Sequence, residues 1–73
     1  MKTFEQYDVV ALTVDLPEEK LHRGQVGTIV EVYNNGEAFE IDFVDYDGFT
    51  YALLTLSPEQ IMLLHYEPVK IAA

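Results

Sequence analysis

The sequence predicts an all-β fold, five short strands curled into one small barrel. Residues 38–44, AFEIDFV, alternate apolar and polar side chains without a break, which is the period of a strand with one wet face. The turn signals NNG (34–36), DYDG (45–48) and SPEQ (57–60) separate β-branched or aliphatic runs of strand length. The chain has 73 residues and no cysteine, so neither a disulfide nor a thiolate-bound metal can staple it. A chain this short buries only about 60% of the surface it exposes when unfolded. Stability must come from one core, from association, or from both.

Residues 1–6 form a lead-in. YDVVAL, 7–12, is the first expected strand. TVDLPEEKLHRG, 13–24, is an irregular loop broken by Pro17 and Gly24. Its Leu16 and Leu21 are expected to pin the loop to the body, and PEEKLHR offers a helical turn with Asp15 as N-cap. In QVGTIVEVY, 25–33, Val26, Thr28, Ile29, Val30 and Val32 favour strand over helix. Gly27, inside that strand, marks a bulge or a close backbone approach, and a bulge there inverts which side chains face in. NNG supplies residues that accept positive φ for a hairpin turn. In the third strand, 38–44, Phe39, Ile41 and Phe43 point one way while Glu40 and Asp42 point the other.

DYDG is the second hairpin turn, and FTYALLTL, 49–56, the fourth strand. SPEQ reads as a helical turn, with Ser57 as cap and Pro58 at the first position. IMLLH, 61–65, is the fifth strand. The tail, 66–73, has no period, and Pro68 argues against a long strand there. Val30, Val32, Phe39, Ile41 and Phe43 are the expected core. The whole is one domain over 1–73, with its body at 7–65. This order of strands suits an SH3-like barrel. The alternative, an OB-like barrel, wants longer strands and a proper helix.

Hydrophobic residues make up 49% of the chain, which excludes a disordered segment. The formal charge is −9, from 13 acids against 4 bases. Lys2, Lys20, Arg23 and Lys70 are too few and too scattered for a basic patch that tracks phosphates. A basic partner fits better. No signal-peptide core follows MKTFEQYDVV, and no apolar run approaches the roughly 20 residues that span a bilayer. The expected compartment is the cytoplasm.

Few residues offer chemistry. His22 and His65 have no G-x-S-x-G or H-E-x-x-H around them, and the single serine, Ser57, reads as a cap. Asp45-Tyr46-Asp47-Gly48 opens like a calcium loop, but the twelfth place, which needs glutamate, holds Leu56. A polar turn is the ordinary reading. Glu31, Glu40 and Asp42 share an outer face, yet a small barrel has no cleft to shift their pKa values. That face serves better to steer a basic partner. No catalytic residue, cofactor or metal is expected.

The aromatics and the apolar runs point to contact with another chain. Tyr33, Tyr46, Phe49, Tyr51 and Tyr66 fall at turns or strand ends, and tyrosine is a favoured interface anchor. Ala52-Leu53-Leu54 and Ile61-Met62-Leu63-Leu64 do not alternate, so about half of these side chains face outward. The tail Val69–Ile71, a second copy in a homodimer, or a partner protein would cover them. Each large aliphatic fully covered is worth about 1.5–3 kcal/mol. Tyr33, Tyr46, Phe49, Tyr51, Leu54, Leu63, Glu40 and Asp42 are the candidate partner-binding residues.

The segments DVVALT (8–13), DLPE (15–18), L-x-R-G-Q-V-G-T-I-V-E-V (21–32), E-I-D-F-V-D (40–45) and ALLTL (52–56) carry a resemblance. Together they resemble the bacterial domain-of-unknown-function family 4926, common in cyanobacteria. The resemblance implies an SH3-like barrel akin in outline to the KOW and nitrile-hydratase-β barrels, and no catalytic residues. It also implies, in some members, a neighbouring gene for a second small protein, as in a toxin–antitoxin pair. The G-x-V-G-T-I-V string at 24–30 sits in acidic surroundings, unlike a nucleic-acid-binding KOW module. The expected function is thus a non-catalytic protein-interaction module, an antitoxin-like or accessory member of a two-gene pair. A KOW-like nucleic-acid binder is the alternative that the charge opposes, and an enzyme is the third reading.

Overall fold

The computed structural model describes residues 4–65 and 68. Five strands, β1 (Val9–Leu12), β2 (Val26–Tyr33), β3 (Ala38–Val44), β4 (Thr50–Leu56) and β5 (Ile61–Leu63), form one antiparallel sheet in the order β4-β3-β2-β1-β5. The all-β, five-strand expectation holds. The sheet is open, however: β4 pairs only with β3, and β5 only with β1. β5 is only three residues long, matched to Leu12, Ala11 and Val10 of β1.

One face of the sheet carries the core. Val10, Leu12, Ile29, Phe39, Ile41, Phe43, Leu56 and Ile61 are buried there with Leu21 from the 13–25 loop. Cross-strand pairs such as Ile29↔Ile41, Ile41↔Leu54 and Phe39↔Leu56 stack these side chains in rows. Phe4 closes one end, its ring edge-on to Phe39 at 5.4 Å.

The second strand does not keep its parity. Ile29 stands opposite Ile41 while Glu31 stands opposite Glu40, so Val30 is an extra residue, a β-bulge that flips the faces beyond it. Ile29 is fully buried and Val32, opposite Phe39, packs on the core. Val30, expected in the core, is only half-buried and lies outside it. The bulge's carbonyls are bonded by the lead-in: Tyr7 N–H donates to the Ile29 oxygen at 2.6 Å, and Gln6 Nε2 to the Val30 oxygen at 3.0 Å. That docking needs a turn at Tyr7 (φ 73°), so β1 begins at Val9 rather than at residue 7.

Gly27 is needed for close approach. A Cβ there would lie 2.6 Å from Ile41 Cγ2, 3.1 Å from the Asp42 oxygen and 3.1 Å from Phe43 Cδ1. The Ile41 and Phe43 side chains of β3 thus fill the space where a side chain on this residue of β2 would stand.

The long loop is pinned as expected. Leu16 and Leu21 exchange backbone hydrogen bonds at 2.9 and 3.1 Å, with Leu21 buried. Between them Pro17–Glu19 makes one 3-10 turn. Its N-cap is Leu16, and Asp15 instead accepts the Arg23 N–H at 2.8 Å, tying the two ends of the loop together. In the 34–36 turn Asn34, Asn35 and Gly36 all have positive φ (50°, 59° and 104°), so the NNG signal is used in full. The second 3-10 turn, Pro58–Gln60, is entered at Ser57, whose N–H donates to Gln60 Oε1 at 2.9 Å.

Candidate functional site

The outer face of the sheet carries an apolar strip that crosses all five strands. Ala11 of β1 stands opposite Met62 of β5 on one side and Val26 of β2 on the other. Val26 continues into a shallow groove of about 640 Å³ shared with Val44 of β3 and with Tyr51 of β4. Met62, Val26, Val44 and Tyr51 are 52%, 45%, 39% and 46% exposed. Apart from the Tyr51 phenol the side chains of the strip are aliphatic or thioether. Its chemistry is that of a surface to be covered.

Two local devices place the aromatic end of this strip. The register of β3 and β4 shifts between Phe43↔Ala52 and Val44↔Thr50, leaving Tyr51 as an extra residue. Its hydroxyl accepts from Gln25 Nε2 at 3.2 Å and its ring lies 6.2 Å from that of Phe43. Tyr51 is therefore held in place while half its surface faces water. The adjoining turn is built by Asp45, whose Oδ1 accepts from the N–H groups of Asp47 at 2.9 Å and Phe49 at 3.0 Å. The carboxylate that opens the calcium-like string is thus committed to its own turn. Tyr46, which lines the groove, and Phe49 project from this turn into solvent.

Beside the strip lies the acidic patch. Glu31 is opposite Glu40, and Asp42 is opposite Thr28 on one side and Leu53 on the other. Thr55 Oγ1 donates to Glu40 Oε1, and Thr50 Oγ1 to Asp42 Oδ1, both at 2.7 Å. The Tyr33 hydroxyl reaches Glu40 Oε1 at 3.5 Å. Partial loss of water raises the Tyr33 pKa, and the charges of Glu40 and Glu31 and the Glu40 contact push it the same way. Among the described residues the only lysine or arginine side chains are Lys20 and Arg23, both in the 13–25 loop. His22 Nδ1 lies 4.0 Å from Asp15 Oδ1, on the exposed surface.

The eight residues singled out from the sequence do not form one site. Tyr46, Phe49 and Tyr51 gather at the aromatic end. Tyr33 ends β2, opposite Ala38 at the far end of β3, with its hydroxyl toward Glu40, and Glu40 and Asp42 form the acidic patch. Leu54 packs against the core and lines a second groove beside the Pro17–Glu19 turn. Leu63 is half-buried opposite Val10. Their neighbours Leu53 and Met62 are the ones that face outward. Sequence reasoning missed Val26 and Val44 as surface residues. Val44 was readable, since it follows inward-facing Phe43, whereas its meeting with Val26 depends on register. Tyr66 and the tail Val69–Ile71 lie outside the described residues.

A family signature, the domain of unknown function DUF4926, matches residues 6–63. The chain belongs to the DUF4926 family. The match runs from the lead-in that bonds the β2 bulge to the last residue of β5, so the DUF4926 domain takes in the whole sheet and both sides of the strip. No curated protein and no solved structure matches the chain. Among the described residues no helix is long and apolar enough to cross a membrane.

Proposed function

We propose that this DUF4926 chain is a non-catalytic module of the cytoplasm that binds another protein, as the antitoxin-like or accessory member of a two-gene pair. The observation that carries the reading is the strip from Met62 through Ala11, Val26 and Val44 to Tyr51. An apolar row with a fixed tyrosine at one end and a second tyrosine above it has the composition of an interface centre. The acidic patch alongside supplies charge that draws in a basic partner and sets its orientation. In outline the sheet suits an SH3-like domain, a scaffold that hosts many unrelated functions. The charge of −9 works against nucleic acid.

Co-expression with the product of the adjacent gene tests this. The two proteins are expected to co-purify at low salt as one complex. If they stay apart at micromolar concentration, the two-gene version is wrong. A clear gel shift with RNA or DNA at low salt overturns the charge argument.

A further inference from the structure

We infer that the outer edge of β4 accepts an extended basic segment of a partner protein as a sixth strand. The inference rests on the protein-binding reading and adds a second surface, with the chemistry of what it takes. β4 is an end strand bonded to β3 alone. Among the described residues no strand meets its other side, so alternate N–H and C=O groups along Ala52–Leu56, beyond the Tyr51 bulge, point outward. Natural edges of this length are blunted with lysine, proline, inward-pointing charge, a bulge or a covering loop; β4 has a bulge at Tyr51, at its start, and the Pro17–Glu19 turn stands off its second half across a groove. β4 reads TYALLTL, seven residues with no charge and no proline. The other edge, β5, is only three residues long.

A groove of about 420 Å³ lies beside the second half of β4, formed by Leu16, Leu54 and Leu56 with Glu18 and Glu19 on its wall. Side chains of an added strand alternate between two faces. One set drops toward the leucines of this groove. The other lies on the outer face beside Leu53 and Thr55, and there Asp42 and Glu40 stand one strand further in. Strands lie about 4.8 Å apart, which puts those carboxylates about 10 Å from the added backbone. That is close to the Debye length in ordinary salt and within reach of a lysine or arginine. The edge therefore suits a segment in which apolar residues alternate with basic ones. A second copy's β4 brings no cation, and its body carries the same −9. Repulsion favours the basic partner over self-pairing.

The test titrates the full chain at low salt with a labelled peptide of about eight residues, Val or Ile alternating with Lys or Arg. The comparison peptides have the same side chains but are N-methylated at alternate positions, one in each register. Two protein variants, E18Q/E19Q and V26D/M62D, are run beside the parent. Saturable binding is expected, with the amide signals of Ala52–Leu56 protected from exchange. At least one N-methylated peptide binds about tenfold or more weakly, because it loses the edge hydrogen bonds. E18Q/E19Q binds several-fold more weakly, and V26D/M62D, which adds negative charge away from the edge, binds no more weakly than the parent. Equal binding by both methylated peptides overturns the inference, since charge alone then holds the peptide. So does loss of binding in V26D/M62D, which puts the peptide on the strip. Self-association that protects β4 before any peptide is added gives the edge to a second copy and also overturns it. If the peptide fails while co-purification succeeds, only the edge is wrong. If both fail, the module reading falls too.

Discussion

Glu31 and Glu40 stand directly opposite each other across the β2–β3 ladder, and neither strand contains a lysine or arginine. Like charges so placed destabilise a sheet. The Val30 bulge brings them together, because without it Glu31 would fall on the other face. Glu31→Lys converts the repulsion to attraction and is expected to stabilise the fold by about 0.2–1 kcal/mol. Thermal melts check this. The gain should shrink at high salt, where the parent itself becomes more stable.

The same carboxylates govern Tyr33. Its pKa is raised in the folded chain, by partial loss of water and then by the charges of Glu40 and Glu31. A raised folded value favours the neutral phenol. The associated stability is therefore present below the ordinary tyrosine pKa of about 10 and is lost as pH rises through the folded value. Absorbance titration of the phenolate is expected to place Tyr33 above the ordinary range. E31Q/E40Q should bring it back toward that range.

Gly27→Ala is expected to destabilise by about 1–3 kcal/mol, the usual cost of forcing atoms into a packed core. The added methyl would meet Ile41 Cγ2 at 2.6 Å and the fixed Asp42 carbonyl at 3.1 Å. Urea unfolding measures the loss. An unchanged midpoint would mean that β2 and β3 can part without cost.

Leu53 and Leu54 are neighbours with opposite duties. Leu54 packs against the core while Leu53 is half-exposed on the outer face. Leu54→Ala should cost about 2–3 kcal/mol, and Leu53→Ala should stay within about 0.5 kcal/mol. Equal losses in denaturant melts would show that the parity of β4 is wrong.

Much of the fold was legible because its signals are local. NNG needs three positive φ values and has them; AFEIDFV alternates and does so in the sheet; Leu16 and Leu21 clasp the loop. What was hidden depends on partners distant in sequence. Val30 and Ile29 are equally β-branched and apolar, and only the bulge, bonded from Gln6 and Tyr7, decides which one is buried. The role of Gly27 likewise rests on Ile41 and Phe43 across the sheet. The candidate site was less legible still. Tyrosines at turns could be named, but the meeting of Met62, Ala11 and Val26 requires the register of three strands.

The most direct test of the protein-binding account is calorimetric titration of the adjacent gene's product into the parent chain and into V26D/M62D. Both substitutions put a charge on a half-exposed side chain of the outer strip, away from the core, so the variant should fold as the parent does by circular dichroism. The account predicts that affinity falls by at least about a hundredfold, the loss of two apolar contacts and the burial of charge in their place. Binding of the variant at full strength would contradict it.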